Sequence, residues 1–78
     1  MHLEIITPEK SLYKGEIISA IFPGTDGSFG ILNQHAPIIS TLKKGDINII
    51  DKNNTPTTFS VEGGVVEVSN NKIIVLAE

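Results

Sequence analysis

The chemistry-bearing residues of this chain are two histidines, a serine flanked by glycines and a row of evenly spaced glycines. His2 and His35 are the histidines, and there is no cysteine, so neither has partners at the spacing of a zinc site. Gly27-Ser28-Phe29-Gly30 places a serine between glycines, but a nucleophile elbow needs G-x-S-x-G between a strand and a helix. We therefore predict no metal site and no catalytic residue.

Phosphate binding is not predicted either. Gly24, Gly27 and Gly30 are spaced three apart, which matches neither G-x-G-x-x-G nor a loop ending in G-K-[ST]. Without a helix after these glycines there is no helix N-terminus to hold an anion. The glycines are interpreted as turn residues, and no cofactor is expected.

Composition narrows the class of protein. Seventy-eight residues allow a single domain, residues 1–78. The net charge is −3 and every basic residue is a lysine, which argues against a nucleic-acid partner. No apolar run approaches the roughly 20 residues of a membrane span, and MHLEIITPEK has no signal-peptide pattern. Direct membrane insertion is therefore not predicted.

The elements that must position these residues are short strands separated by turns. Glu16 to Phe22 alternates, with Ile18, Ala20 and Phe22 expected on one face. No helical stripe occurs, so the pattern predicts an all-β fold, either an antiparallel sandwich or a small barrel. The predicted strands are 3–7, 11–14, 16–22, 28–32, 38–42, 46–50, 57–61, 65–68 and 73–76.

Apolar residues on the second face of these strands indicate an interface or a second sheet. The residues expected to face away from the main core are Ile6, Ile17, Ile21 and Ile39. An exposed apolar patch on a small domain marks a binding surface. The stretch PGTDGSFGILNQHAP, residues 23–37, adds two tight corners with exposed polar side chains, where binding usually resides.

This stretch carries a family resemblance. P-G-x-x-G-x-x-G-I-L followed by x-x-H-A-P, then L-K-K-G, G-G with E-V, and a final V-L-A-E resemble the N-terminal β domain of the epsilon subunit of F-type ATP synthases. The resemblance covers the whole chain and implies a flattened antiparallel β-sandwich of about ten short strands.

The resemblance also implies a function. Such a subunit is not an enzyme; it lies in the central stalk and couples the membrane rotor ring to the gamma subunit, and through gamma to the catalytic head, so that proton flow drives ATP synthesis. It implies a peripheral location on the cytoplasmic face of the bacterial inner membrane. Carried over by motif, the gamma-binding residues would be Thr7, His35 and Ser40, and the ring-binding residues would be Thr25, Asp26, Gly27 and Ser28.

The sequence departs from the family pattern at three points. Ser28 stands where the family often has an acidic residue, so Asp26 is expected to supply that charge. Gln34 stands where a glycine usually precedes the H-A-P histidine. Family members commonly continue past V-L-A-x into two helices that can inhibit hydrolysis and bind ATP. Because this sequence stops at Glu78, no ATP binding and no helical inhibition are expected.

A free-standing β-sandwich module that binds carbohydrate or another small ligand is the alternative from a different class. Such a module needs stacking aromatic residues in a groove, whereas this chain has no tryptophan and one tyrosine, Tyr13. A small hydrolase is a third possibility, but the sequence suggests no assembled catalytic set.

Overall fold

The computed structural model describes residues 1–78, which form eight β-strands. It contains no helix, and so none long and apolar enough to cross a membrane. The strands are β1 (His2–Ile6), β2 (Ser11–Phe22), β3 (Phe29–Leu32), β4 (Ile38–Leu42), β5 (Gly45–Asp51), β6 (Pro56–Val61), β7 (Gly64–Ser69) and β8 (Lys72–Ala77).

Strand β2 joins the two halves of the molecule. Its first half pairs with β1 and its second half pairs with both β3 and β5. We call the layer β4-β7-β8-β1 with the first half of β2 sheet A, and the layer of β3, the second half of β2, β5 and β6 sheet B. The two sheets form a single curled sheet whose inner faces meet, so the prediction of an all-β sandwich is confirmed.

The core lies between the two sheets. Period-2 alternation turns β-branched and aromatic residues inward from both layers, because successive side chains of a strand point to opposite faces. The buried set is Leu3, Ile5, Ile17, Ala20, Phe22, Ile31, Leu42, Ile47, Ile49, Val61, Val66, Val68, Ile73, Val75 and Ala77. No polar or charged side chain is buried among them.

The predicted faces of β2 are wrong in its middle. Ile17 is 4% exposed and belongs to the core, whereas Ile18 faces solvent. The pairing of β2 with β5 shifts between Ile17 and Ser19, which is the signature of a β-bulge. The extra residue places Ile17 on the same side as Ala20 and Phe22, so strict alternation from Ile18 fails.

Two further details differ from the expectation of about ten antiparallel strands. The structure has eight strands rather than the nine located in the sequence, because the segments predicted at 11–14 and 16–22 are one twelve-residue strand running through Gly15. The central pair β1 and β8 is parallel, with His2 opposite Lys72 and Ile6 opposite Leu76. All the other pairs are antiparallel.

Candidate interaction surface

The outer face of sheet A carries a cluster of apolar side chains that nothing in the chain covers. Ile39, Leu76 and Val65 are 73%, 57% and 40% exposed, and Ile74 beside them is half-buried. The four surround Glu67, which is also exposed. We call Ile39, Val65, Glu67, Ile74 and Leu76 the sheet A patch.

Register explains why these residues form one patch. Ile39 lies opposite Glu67, which lies opposite Ile74, and in the next row Val65 lies opposite Leu76. Directly opposed side chains on one face have Cβ atoms about 5 Å apart, so they touch across the strands. The five side chains line a depression of about 220 Å³. Clustered exposed apolar side chains on a small domain are typical of a docking surface.

His35 lies in the loop between β3 and β4, at one end of sheet A. The backbone N–H of Gln34 donates to Oδ1 of Asn71 at 2.9 Å, which fastens this loop to the β7–β8 turn. Nδ1 of His35 lies 2.7 Å from the carbonyl oxygen of Ala36. A carbonyl can only accept, so Nδ1 is the donor in this bond.

The backbone at Gln34 shows why glycine is usual at this position in the family pattern. Its φ of 63° lies in the left-handed region, which glycine occupies readily and other residues occupy at some strain. The substitution of glycine by glutamine therefore keeps the turn, and Asn71 holds it.

Thr7 follows β1 and closes the turn to β2. Its hydroxyl donates to the carbonyl oxygen of Lys10 at 3.0 Å and accepts the Lys10 N–H at 3.1 Å. One hydroxyl lone pair is left for another molecule. Thr7 is therefore a rigid surface group rather than a mobile one.

Ser40 lies on the edge strand β4, but its side chain does not join the sheet A patch. Ile39 and Thr41 are exposed on the outer face, whereas half-buried Ser40 alternates with them and lies on the side of buried Leu42. Ser40 is paired with buried Val66 of β7. It therefore lies at the border of sheet A, facing the open edge of the sandwich.

The predicted ring-binding residues form one exposed loop with a fixed base. Thr25, Asp26, Gly27 and Ser28 are all exposed. The Thr25 N–H donates to the Thr41 carbonyl oxygen at 3.0 Å, and the hydroxyls of these two threonines lie 2.7 Å apart. Gly24 below the loop is buried, and a Cβ there would lie 2.8 Å from the ring of Phe29. Tight packing below an exposed tip makes this a stiff projection.

The structure brings some predicted site residues together and separates others. Ile6, Leu76, Val65 and Thr41 are in register across β1, β8, β7 and β4. Thr7 therefore lies at the same end of sheet A as the Thr25 to Ser28 loop. His35 lies at the opposite end, where Gln34 contacts the β7–β8 turn. The two ends are about 13 Å apart along a five-residue strand.

A small charged cluster lies where β2 passes from one sheet to the other. Nδ1 of His2 lies 3.0 Å from Oε2 of Glu16, and the N-terminal ammonium lies 3.4 Å from Oε1. The hydrogen bond with His2 has the largest effect and holds the pKa of Glu16 below its usual value of 4.5. Desolvation opposes it, and the hydrogen bond and charge of the N-terminus lower the pKa further. No further histidine or acidic residue joins His2 and Glu16 to form a group that could hold a metal ion.

Tyr13 lies beside this cluster and packs edge-on against Phe59, with ring centroids 5.5 Å apart. Burial, then the charges of Asp51 and Glu16, raise the pKa of its phenol. Tyr13 is thus engaged in packing between the ends of the two sheets.

The sequence identified part of the exposed apolar surface. Ile39 and Ile21 are exposed as predicted, Ile6 is half-buried, and Ile17 is not exposed. Val65 and Leu76 were missed. Their signal was present, because V-V-E-V and I-I-V-L are strands with apolar residues on both faces, as in a sheet covered on both sides.

The whole chain matches a family model described as "ATP synthase, Delta/Epsilon chain, beta-sandwich domain", over residues 1–78. The ATP synthase epsilon chain of Chlorobium limicola is 43% identical over 76 residues, which cover 97% of this chain and 86% of that one. The epsilon chain of Leptospira interrogans is 46% identical over 78 residues, which cover 100% of this chain and 61% of that one.

Two solved structures have the same fold. One is the Euglena gracilis mitochondrial ATP synthase, described as OSCP/F1/c-ring, with a TM-score of 0.89 at 16% identity, over 96% of this chain and 48% of that chain. The other is the central stalk and c-ring of the Tetrahymena thermophila mitochondrial ATP synthase, with a TM-score of 0.83 at 21% identity, over 99% and 62%. This chain therefore spans about half to two thirds of the length of these structural neighbours.

Proposed function

The chain belongs to the delta/epsilon family of ATP synthase subunits, and from this premise we propose that it is a non-catalytic rotor subunit of the central stalk. In this proposal it couples the membrane rotor ring to the gamma subunit, and through gamma to the catalytic head, so that proton flow drives ATP synthesis. Its location would be peripheral, at the cytoplasmic face of a bacterial inner membrane. The observation that carries the proposal is the sheet A patch, an apolar surface on one layer of a stiff sandwich.

The gamma subunit is proposed to dock on sheet A. The three residues expected to contact gamma all lie at the border of this sheet: Thr7 after β1, His35 beside the β7–β8 turn, and Ser40 on edge strand β4. A partner that covers the sheet A patch and reaches all three borders would span about 14 Å across four strands. Thr7 and His35 flank the patch at its two ends, whereas the Ser40 side chain lies on the inner side of β4, so contact there would be made along the exposed edge of that strand.

The rotor ring is proposed to contact the loop of Thr25, Asp26, Gly27 and Ser28. Its four exposed residues project from a base fastened to Thr41, so the loop transmits force to β4 without bending. Asp26 is the acidic group of the loop and supplies the charge that Ser28 lacks. The ring face and the gamma face then share strand β4, which supports a mechanical role.

The carbohydrate-binding alternative gains no support from the aromatic residues. Tyr13 packs on Phe59, and Phe22 packs on Phe29 with ring centroids 5.6 Å apart. These are all the phenylalanine and tyrosine rings of the chain, which has no tryptophan, and each is buried or half-buried. A sugar-stacking surface needs an exposed ring face, so this function is not proposed.

The test is a pull-down from native membranes with a tagged copy of the chain, comparing Ile39→Glu with Ile21→Glu. Both positions are exposed, 73% and 51%, but Ile39 lies on sheet A and Ile21 on sheet B, so the two variants form a matched pair. We expect Ile39→Glu to weaken gamma binding by at least about 30-fold, as for a central interface residue. Ile21→Glu should recover gamma and the head like the wild type.

The same preparation tests the ring contact. The chain has no cysteine, so a single Ser28→Cys change gives one cross-linking site, with Asn53→Cys beyond the far end of β5 as the control. Cross-linking of Ser28→Cys alone to a ring subunit is expected. Failure of folded wild-type protein to recover gamma, or equal behaviour of the two isoleucine variants, would contradict the docking proposal.

A further inference from the structure

We infer that the surface docking on the sheet A patch carries a lysine or arginine opposite Glu67, and that an ion pair formed there selects the partner. This inference rests on the proposed function, because it concerns the same patch. It goes further in assigning the chemistry of the partner surface: aliphatic side chains around one cation.

Glu67 occupies the middle of the apolar surface. In β7 it is paired on one side with Ile39 of β4 and on the other with Ile74 of β8. Three depressions on sheet A, of about 220, 250 and 380 Å³, all include Glu67 in their lining. A partner that fills any of them must contact this carboxylate or lie directly beside it.

No group of the chain forms a salt bridge with Glu67. The ion pairs of the structure join Glu16 to the N-terminus and to His2, and Lys44 to Glu62. Lys72 lines one depression with Glu67 but forms no salt bridge with it. Glu4, on the far side of Ile74, lies directly opposite Lys14. The outer face of sheet A therefore combines apolar surface with a central carboxylate that forms no salt bridge within the chain.

Docking would remove water from this carboxylate. An ionised group taken out of water is strongly destabilising unless an opposite charge and hydrogen bonds replace its solvation. A purely aliphatic partner would therefore bind better to a patch without Glu67. A partner with a cation at this point would bind worse without it, because its own charge would then be buried unpaired.

The sign of the effect of Glu67→Gln consequently distinguishes the two kinds of partner. Glutamine keeps the size and shape of the side chain and removes its charge. Glu67 is exposed in the free chain, so this change should leave folding intact, which thermal unfolding verifies. The binding partner in the experiment is the purified gamma subunit of the same synthase, titrated by calorimetry at low and high salt.

We expect Glu67→Gln to raise the Kd for gamma by about 30-fold, Glu67→Lys to raise it further, and Glu67→Asp to restore part of the affinity. The control is Asp46→Asn, which removes one negative charge from the outer face of sheet B and should change the Kd less than about twofold. Added salt should weaken the wild type more than Glu67→Gln, since screening acts on the ion pair.

The outcomes separate this inference from the proposed function. If wild-type protein binds gamma and Glu67→Gln binds equally or more tightly, the partner has no cation at this point and the inference is wrong while the docking surface stands. If Glu67→Gln and Asp46→Asn weaken binding equally, the effect is one of net charge, and the inference is again wrong. If folded wild-type protein does not bind gamma at all, the proposed function fails and the inference fails with it.

Discussion

The outer faces of the two sheets have opposite characters. On sheet B the exposed polar side chains are paired: the Thr58 hydroxyl donates to Oδ1 of Asn48, and the Ser60 hydroxyl donates to Oδ1 of Asp46, both at 2.8 Å. On sheet A the corresponding centre is apolar around the unpaired Glu67. Sheet B pairs polar groups on its own outer surface, whereas the sheet A patch has no such pairs.

This difference shows how a domain of 78 residues can form a buried core and still keep an apolar outer surface. Apolar residues on both faces of β7 and β8 leave a surface that water solvates poorly. Ile18, Ile21 and Leu32 are also exposed on sheet B, but Asn48 and Ser19 pair directly with residues of that set and interrupt its apolar character. On sheet A the apolar side chains surround a single carboxylate, that of Glu67, whereas on sheet B polar residues lie directly opposite both Ile21 and Leu32.

The largest expected effect on stability comes from a substitution at Gly64 in sheet A, for which Gly30 in sheet B is the matched control. A Cβ at Gly64 in β7 would lie 2.4 Å from the backbone oxygen of Leu76, at a φ of 149°, whereas a Cβ at Gly30 in β3 would have its nearest neighbour at 3.8 Å. Gly64→Ala should lower the free energy of unfolding by about 3 kcal/mol through overlap and backbone strain. Gly30→Ala should change it by less than about 1 kcal/mol.

Urea unfolding of the two glycine variants measures this contrast. Equal effects would mean that β7 can shift away from β8 as easily as β3 shifts from β2. The sheet A patch would then be a flexible surface, and the two sheets would not differ in rigidity.

A smaller effect is expected from the paired polar groups of sheet B. Thr58→Val removes the hydrogen bond to Asn48 but keeps the branched shape that suits a strand. We expect a loss of about 0.5 kcal/mol, since the bond is exposed to water. Thr57→Val is the control, because Thr57 is paired with buried Ile49 and forms no such bond, so valine there should be neutral or stabilising. Loss of gamma binding in Thr58→Val would show that sheet B also docks.

The smallest expected effect on stability comes from Glu16, at the point where β2 leaves sheet A for sheet B. The pKa of Glu16 is lowered in the folded protein, first by its hydrogen bond with His2. The ionised carboxylate is therefore favoured by folding, and its contribution is fully present above the usual pKa of 4.5 and is lost as the pH falls below it towards the lowered folded pKa.

Thermal unfolding from pH 7 to pH 3 tests this pH dependence. Glu16→Gln should be less stable than the wild type at neutral pH and should approach it at the acid end. Glu9→Gln, an exposed change in the β1–β2 turn, should run parallel to the wild type throughout. A constant difference between Glu16→Gln and the wild type would mean that the pair with His2 does not form in solution.

Much of this architecture could be predicted from the sequence because it depends on local periodicity. Alternation and turn residues located the strands; between β7 and β8 the turn residues Asn70 and Asn71 both have positive φ, which asparagine tolerates. The length of β2 could not be predicted, because Gly15 looks like a break. In the structure the Tyr13 side chain lies over it, with the hydroxyl 3.3 Å and the nearest ring carbon 3.5 Å from where a Cβ would be.

The rest depends on contacts between residues far apart in the chain. Nothing local in H-L-E-I-I indicates that β1 pairs in parallel with β8, and the bulge at Ile17 appears only once β5 is its partner. The candidate surface was predictable in part for the same reason: Ile39 is visibly apolar in the sequence, but its grouping with Val65, Glu67 and Leu76 needs the register of three strands. The assignments of Thr7, His35 and Ser40 to gamma, and of residues 25–28 to the ring, stay predictions.

The parallel pairing of β1 with β8 has a consequence for synthesis on the ribosome. Strand β1, which begins at His2, is synthesised first, and it cannot pair with β8 until residues Lys72 to Ala77 have been made. Until then β7 and β1 are separated by an empty position, and Leu3, Ile5 and Val66, which are fully buried in the finished domain, remain accessible. Such non-local pairing is slow to form and leaves apolar strands exposed while it forms. The nascent chain is therefore expected to need chaperone protection until translation has passed Ala77.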